Sequence, residues 1–182
     1  MLVRGLRVVE DLSDAAWLAP ALTGGFGSVT GTVPSGYSAY VRICHPVLDG
    51  AVKSGYVGRG RARDRSVGAS ADAMACAFSP RELGVPRVEL PARSYLLLAG
   101  TLDQAMQIDW PPFRQSPNLF WPADRAWCVA TELDFDSTLV ACSEELARGL
   151  LDARSLDAWR VQPDDSLRHD ADQINATRTT GS

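Results

Sequence analysis

Lysine is nearly absent from this 182-residue chain: of its 18 cationic residues, 17 are arginine and one is Lys53. Histidine is scarce too, with only His45 and His169, and the four cysteines (Cys44, Cys76, Cys128, Cys142) include no C-x-x-C pair. These scarcities exclude common chemistries. Neither a Walker loop nor a G-x-G-x-x-G is present, and Gly58-Arg59-Gly60 lacks the preceding strand that a phosphate loop requires. Cys44 and His45 are adjacent, so in a strand they face opposite ways and make a poor metal pair. Without a G-x-S-x-G, a Ser-His-Asp set would rest on His45. No run approaches the ~18 apolar residues of a membrane span. Glu10, Asp11 and Asp14 interrupt the N-terminal stretch before any long apolar segment forms. The sequence therefore reads as lacking a signal peptide, with the cytoplasm as its compartment. Scattered cysteines there read as reduced thiols, with Cys128 and Cys142 able to face each other across a hairpin.

What is present is a globular composition, 46% hydrophobic and 22% charged, which excludes collagen-like, coiled-coil and wholly disordered chains. The length fits one domain, residues 1–172, with a disordered tail at 173–182. A core of that size needs no disulfide staples. The net charge of −4 argues against a general polyanion binder. The charge is uneven. Lys53, Arg59, Arg61, Arg63 and Arg65 against Asp64 give a local +4, leaving −8 for the rest.

The pattern alternates between short helices and short strands without regular βαβ order, which predicts an α+β fold. The expected sheet is small, mixed or mostly antiparallel, with two or three flanking helices. Ser13 or Asp14 is suited to cap a helix carrying Trp17, Leu18 and Leu22, with Pro20 either ending it or restarting it in a first turn. Val29–Val33 and Tyr37–Cys44 read as two strands around Pro34-Ser35-Gly36. In the second, Tyr37, Ala39, Val41 and Ile43 share one face, and Tyr40 and Arg42 the other. Residues 50–80 have no stable period and form an irregular insert, with a helical turn or two over Ala71–Phe78. Val88–Leu90 and Ser94–Ala99 read as strands and Leu102–Ile108 as a short helix. A Pro- and aromatic-rich loop then runs to Pro122. Ala126–Leu133 alternates with apolar residues on both faces, as a strand covered on two sides does. Thr138–Cys142 is its partner. Ser143 caps a helix whose buried stripe is Leu146, Leu150 and Leu151, and a short helix or turn follows at Leu156–Trp159.

Leu133-Asp134-Phe135-Asp136-Ser137-Thr138 resembles motif I of the haloacid dehalogenase superfamily. That resemblance implies Asp134 as nucleophile, Asp136 as general acid/base and Mg²⁺ bound by both, with Thr138 closing the motif. Continued through Leu139 and Val140, the stretch spans eight residues. The family sets this motif near the start of a doubly wound domain and needs a later lysine; here no lysine follows Thr138. The competing reading is a hairpin turn in which Asp134 and Asp136 bond backbone groups.

A broader resemblance runs through Asn118-Leu119-Phe120-Trp121-Pro122-Ala123-Asp124-Arg125-Ala126-Trp127-Cys128-Val129-Ala130-Thr131-Glu132 into Asp134–Thr138. Thr32–Tyr37, Tyr40–Ile43 with His45-Pro46, and Leu90–Gly100 extend it. This stretch is similar to a family of uncharacterised bacterial proteins from GC-rich genomes, and the resemblance brings no activity with it. Two functional expectations follow. The first is a non-enzymatic cytosolic interaction or regulatory domain, immunity-like in kind. It needs neither cofactor nor metal and contacts another protein through Trp121, Asp124 and Arg125. The alternative is a Mg²⁺-dependent phosphohydrolase using Asp134, Asp136 and Thr138. The Arg59–Arg65 loop is the one hint of nucleic acid, and it lacks interleaved aromatics other than Tyr56.

Members of that family carry a Trp-rich region where this chain has residues 50–80, so the segment reads as an out-of-frame or decayed insert. Resequencing the coding DNA checks this: a compensating pair of indels restores a Trp-rich frame, and their absence sinks the idea.

Overall fold

The computed structural model describes residues 6–25, 27–45, 79–91, 93–105, 109–110, 113–114, 117–131 and 137–167. Its elements in chain order are β1 (Arg7–Val8), α1 (Leu18–Ala21), β2 (Ala39–Cys44), α2 (Pro80–Leu83), β3 (Val88–Leu90), β4 (Arg93–Tyr95), β5 (Leu98–Ala99) and α3 (Leu102–Ala105). β6 (Asp109–Trp110), β7 (Phe113–Arg114), β8 (Leu119–Phe120), β9 (Cys128–Thr131), β10 (Ser137–Cys142), α4 (Glu144–Asp152) and β11 (Ala158–Val161) complete them. The fold is α+β, with one five-stranded antiparallel sheet, smaller two-stranded sheets and four short helices among the described residues. None of those helices is long and apolar enough to cross a membrane. The chain divides into two compact units, Met1–Ala19 with Val47–Pro117 and Pro20–Pro46 with Asn118–Ser182.

In the first unit, β1 pairs with β5, β3 with β4 and β6 with β7, all antiparallel. The expected strand Ser94–Ala99 is two strands, interrupted at Leu96 and Leu97, and β6–β7 makes a hairpin inside the expected loop. The expected cap at Ser13 or Asp14 is absent. A 3-10 turn spans Ser13–Ala15 from Leu12 with no side-chain cap, and Asp11 accepts the Ser13 N–H at 3.0 Å instead. That bond holds the Asp11 carboxyl below its ordinary range. Ser79 caps α2 in a reciprocal box with Glu82, the S-x-x-E signature, which also lowers the Glu82 pKa. Of the helix expected at Leu102–Ile108, Leu102–Ala105 is helical, and 106–108 lie outside the described residues.

The second unit holds the sheet, in the order β11-β2-β10-β9-β8. β10 sits at its centre, pairing with β2 from Ser137↔Cys44 to Cys142↔Ala39 and with β9 from Thr138↔Thr131 to Ala141↔Cys128. Period-two alternation sends its side chains to two cores. One gathers Tyr40, Cys128, Ala130, Leu139, Ala141 and Val161 with Val29, Val33 and Leu167. The other gathers Ala39, Val41, Val140 and Cys142 with Ala147 of α4. Ser143 caps α4, accepting the Leu146 N–H at 3.2 Å, and Glu144 and Glu145 occupy its first turn.

Several expectations change here. Val29–Val33 is a compact turn, not a strand. Thr32 and Val33 donate back to the Val29 carbonyl at 3.0 and 2.9 Å, and the Thr30 and Thr32 hydroxyls bond the Pro163 and Ser28 carbonyls. Threonine hydroxyls that bond backbone compete with a ladder. Gly31 lets the turn close, because a Cβ there would strike the Gly25 carbonyl. Tyr37 stands outside β2 and packs against the first core, not with Ala39 and Val41. Gly36, at φ +93°, breaks the alternation before it. Leu156–Trp159 does not form a helix or turn throughout: Ala158–Val161 is strand β11, paired to β2. On α4, Ala147 is fully buried and Leu146 is 38% exposed, so the buried stripe is Ala147, Leu150 and Leu151. Cys128 and Cys142 lie on opposite faces as free thiols, and burial pushes Cys128 up to about 12.

Leu139→Ala deletes a fully buried side chain of the central strand and is expected to cost about 3 kcal/mol. Leu146→Ala changes stability by less than ~0.5 kcal/mol. Urea unfolding of both variants checks the contrast.

Candidate functional site

The Trp121–Arg125 segment is a tight turn between β8 and β9. The Arg125 N–H donates to the Pro122 carbonyl at 2.9 Å, closing a four-residue turn. The Asp124 carboxylate accepts the Ala126 N–H at 3.0 Å, the Asx arrangement that suits Asp to such a position. Arg125 sits at φ +54°, the left-handed region that a non-glycine residue occupies at a cost of about 1 kcal/mol or more.

The neck of the turn is clamped on both sheet faces. On one, Phe120 and Trp127, just before and just after the turn, meet edge to face at 5.8 Å and 82°. On the other, Leu119, Trp121 and Tyr37 pack against the first core. The Tyr37 hydroxyl then donates to the Arg125 carbonyl at 2.9 Å, tying the strained residue to a segment 88 positions away. Burial, followed by the neighbouring Cys128 and Tyr40, pushes the Tyr37 pKa up to about 12, so the hydroxyl keeps its proton and donates. Of the residues expected to bind, Trp121 is half-buried, while Asp124 and Arg125 are exposed at the tip. Tyr37 was missed because alternation assigned it to β2; the signal against that was Gly36.

A second polar cluster lies where β9 and β10 are joined. On the α4 face the Thr138 hydroxyl shares hydrogen bonds with Thr131 Oγ1 and His45 Nε2, each at 2.9 Å. On the opposite face Arg42 Nε donates to Ser137 Oγ at 2.8 Å, and its guanidinium lies 5.5 Å from the Trp159 ring. Cys44 and His45 do fall on opposite faces. Asp134 and Asp136 belong to the connector 132–136, outside the described residues, as do Arg59, Arg61, Arg63, Arg65 and His169.

The Mg²⁺ that the dehalogenase resemblance implies would be held by Asp134 and Asp136. The described setting does not fit it. That family sets its motif in a doubly wound domain, whereas here the flanking strands are antiparallel neighbours in register within an all-antiparallel sheet. The Thr138 hydroxyl is engaged by Thr131 and His45. Among the described residues, no three His, Cys, Asp or Glu are grouped to hold a metal ion.

The raised Tyr37 pKa sets a pH dependence. The folded state prefers the neutral phenol, so its contribution is complete below the unfolded tyrosine value near ~10. It is lost as pH rises toward about 12. Tyr37→Phe is expected to cost about 1 kcal/mol near neutral pH through the lost hydrogen bond. It should also flatten the stability decline above pH ~10. Unfolding free energies measured across that range decide it; an unchanged decline would refute the assignment.

Comparisons against family models, curated proteins and solved structures each find no match to this chain.

Proposed function

We propose that this chain is a non-enzymatic interaction domain of the cytosol, regulatory or immunity-like in kind, whose contact surface is the Trp121–Arg125 turn. The observation that carries the reading is Arg125 at φ +54° on an exposed tip. Glycine adopts that conformation without steric cost, so the strain comes with the arginine side chain. The guanidinium of an exposed arginine at such a turn suits planar, two-pronged recognition of a carboxylate. Trp121 beside it adds aromatic surface of the kind that anchors protein contacts. The favoured partner is therefore a protein presenting acidic side chains.

The test uses a photoreactive residue at exposed Ala123 and, as a control, at exposed Glu145 on α4. Irradiation in the producing cell is expected to give a discrete protein adduct from position 123 and none from 145. Arg125→Gly should abolish the adduct while raising stability by about 1 kcal/mol, because it relieves the backbone. An adduct that persists in Arg125→Gly, or no adduct from 123, overturns the proposal. Metal-dependent phosphate-ester hydrolysis that disappears in Asp134→Asn would replace it with the phosphohydrolase reading.

A further inference from the structure

The five-stranded sheet ends at β11, and no strand of the described residues lies on its outer side. Register fixes which backbone groups that edge presents. The Cys44 N–H donates to the Asp157 carbonyl at 2.8 Å, so Cys44 and Asp157 are a hydrogen-bonded pair. Antiparallel pairing alternates, which makes Arg42–Trp159 and Tyr40–Val161 the next such pairs. Ala158 and Arg160 therefore turn their N–H and C=O groups outward. Beyond them the edge closes: the Gln162 N–H is taken by Asp165 Oδ2 at 2.8 Å, and the Leu156 N–H by the Ala153 carbonyl at 2.9 Å.

We propose that β11 is the surface on which two copies of this chain join, strand to strand, about a two-fold axis through Trp159. In that register Ala158 of each copy faces Arg160 of the other. The two N–H and two C=O groups of each edge find one another in four hydrogen bonds, and none is left over. Trp159, 38% exposed, meets its own counterpart at a non-hydrogen-bonded position, where side chains approach closest. Arg42 already lies 5.5 Å from each Trp159 ring, backing the aromatic pair.

Charge follows the same symmetry. An edge arginine normally discourages strand addition. Here Arg160 is drawn onto α4, donating through Nη1 to Glu144 Oε1 at 2.8 Å and through Nη2 to Oε2. Across the two-fold it faces Ala158, a small neutral residue, so no like charges oppose. The flanking turns are complementary: exposed Arg154 lies five residues before Trp159 and exposed Asp164 five residues after it. Because the axis runs the two strands antiparallel, the turn carrying Arg154 lies at the same end of the seam as the other copy's turn carrying Asp164. A second copy is thus matched in backbone groups, side-chain size and charge. These residues are distinct from the Trp121–Arg125 turn, and the two proposals fail independently.

Sedimentation equilibrium of the full chain is expected to show a monomer–dimer equilibrium. Ala158→Pro removes an N–H that β2 does not use and should raise the dissociation constant roughly tenfold or more. Arg154→Glu alone and Asp164→Arg alone each oppose like charges and should weaken the homodimer. Mixing these two variants restores opposite charges at both contacts and should give a heterodimer tighter than either homodimer. A chain that stays monomeric up to roughly 1 mM overturns the proposal. So does a dimer unaffected by Ala158→Pro, a mixture no tighter than its components, or an edge that instead takes up a strand of a different protein.

Discussion

Strand β10 is hydrogen-bonded on both edges and buried on both faces, and the second unit is arranged around that double demand. Leu139 and Ala141 need cover on one side, and Val140 and Cys142 on the other. Neighbouring strands meet the backbone requirement but do not cover both faces. One layer comes from α4, the segment immediately following β10, which turns back and lays Ala147, Leu150 and Leu151 against it. The other comes from distant segments. Val29 and Val33 of the 29–33 turn fill that face, and the turn is stitched to 163–167 through the Thr30, Val29 and Leu167 bonds. One layer is therefore local in sequence and the other closes over more than a hundred residues. The distant layer incurs the larger loop-closure entropy.

The same constraint explains why the Trp121–Arg125 turn is rigid. It joins β8 to β9, and β9 is locked to β10 by register from Thr131 to Cys128. The turn has little freedom to relax Arg125 toward negative φ. Its stem is fixed by the ladder, its neck by Phe120 and Trp127, and its tip by the Tyr37 hydroxyl. Tyr37 in turn packs against the core that β10 supplies. Strain of this kind persists only where its surroundings over-determine it. The line from core to the strained turn thus runs through one tyrosine, whose hydroxyl bonds Arg125 and whose ring is part of the packing.

The central strands were legible in the sequence because their pattern is strong. Ala126–Leu133 and Thr138–Cys142 show apolar residues at both parities, which only a strand covered twice requires, and Ser143 with two glutamates marks the start of α4. The losses have separate causes. At 29–33, β-branched residues suggested a strand, and the side-chain hydroxyls that favour the turn are visible only once Pro163 and Ser28 are placed. At β11, four residues pair with β2 across more than a hundred positions, a contact that local periodicity does not register. At Leu146, helical spacing chose the larger residue, but Ala147 is the side chain buried in the second core and Leu146 is exposed. At the candidate site, residue type drew the expectation to Trp121, Asp124 and Arg125, whereas the Tyr37 bond and the left-handed backbone at Arg125 leave no local signal.

The polar groups at the β9–β10 end bear on what the fold is built to do. Here the hydroxyls are used between neighbours: Thr138 between Thr131 and His45, and Ser137 by Arg42. The Arg42 guanidinium also lies 5.5 Å from the Trp159 ring. Thr131–Thr138 and Arg42–Trp159 are directly opposed, and Arg42–Ser137 and His45–Thr138 are diagonal with an offset of two residues, positions at which cross-strand partners stabilise register. In a sheet whose central strand has six residues, a one-residue slip would exchange its two cores, so polar matches at one end oppose slippage. Those pairs accordingly act as register control.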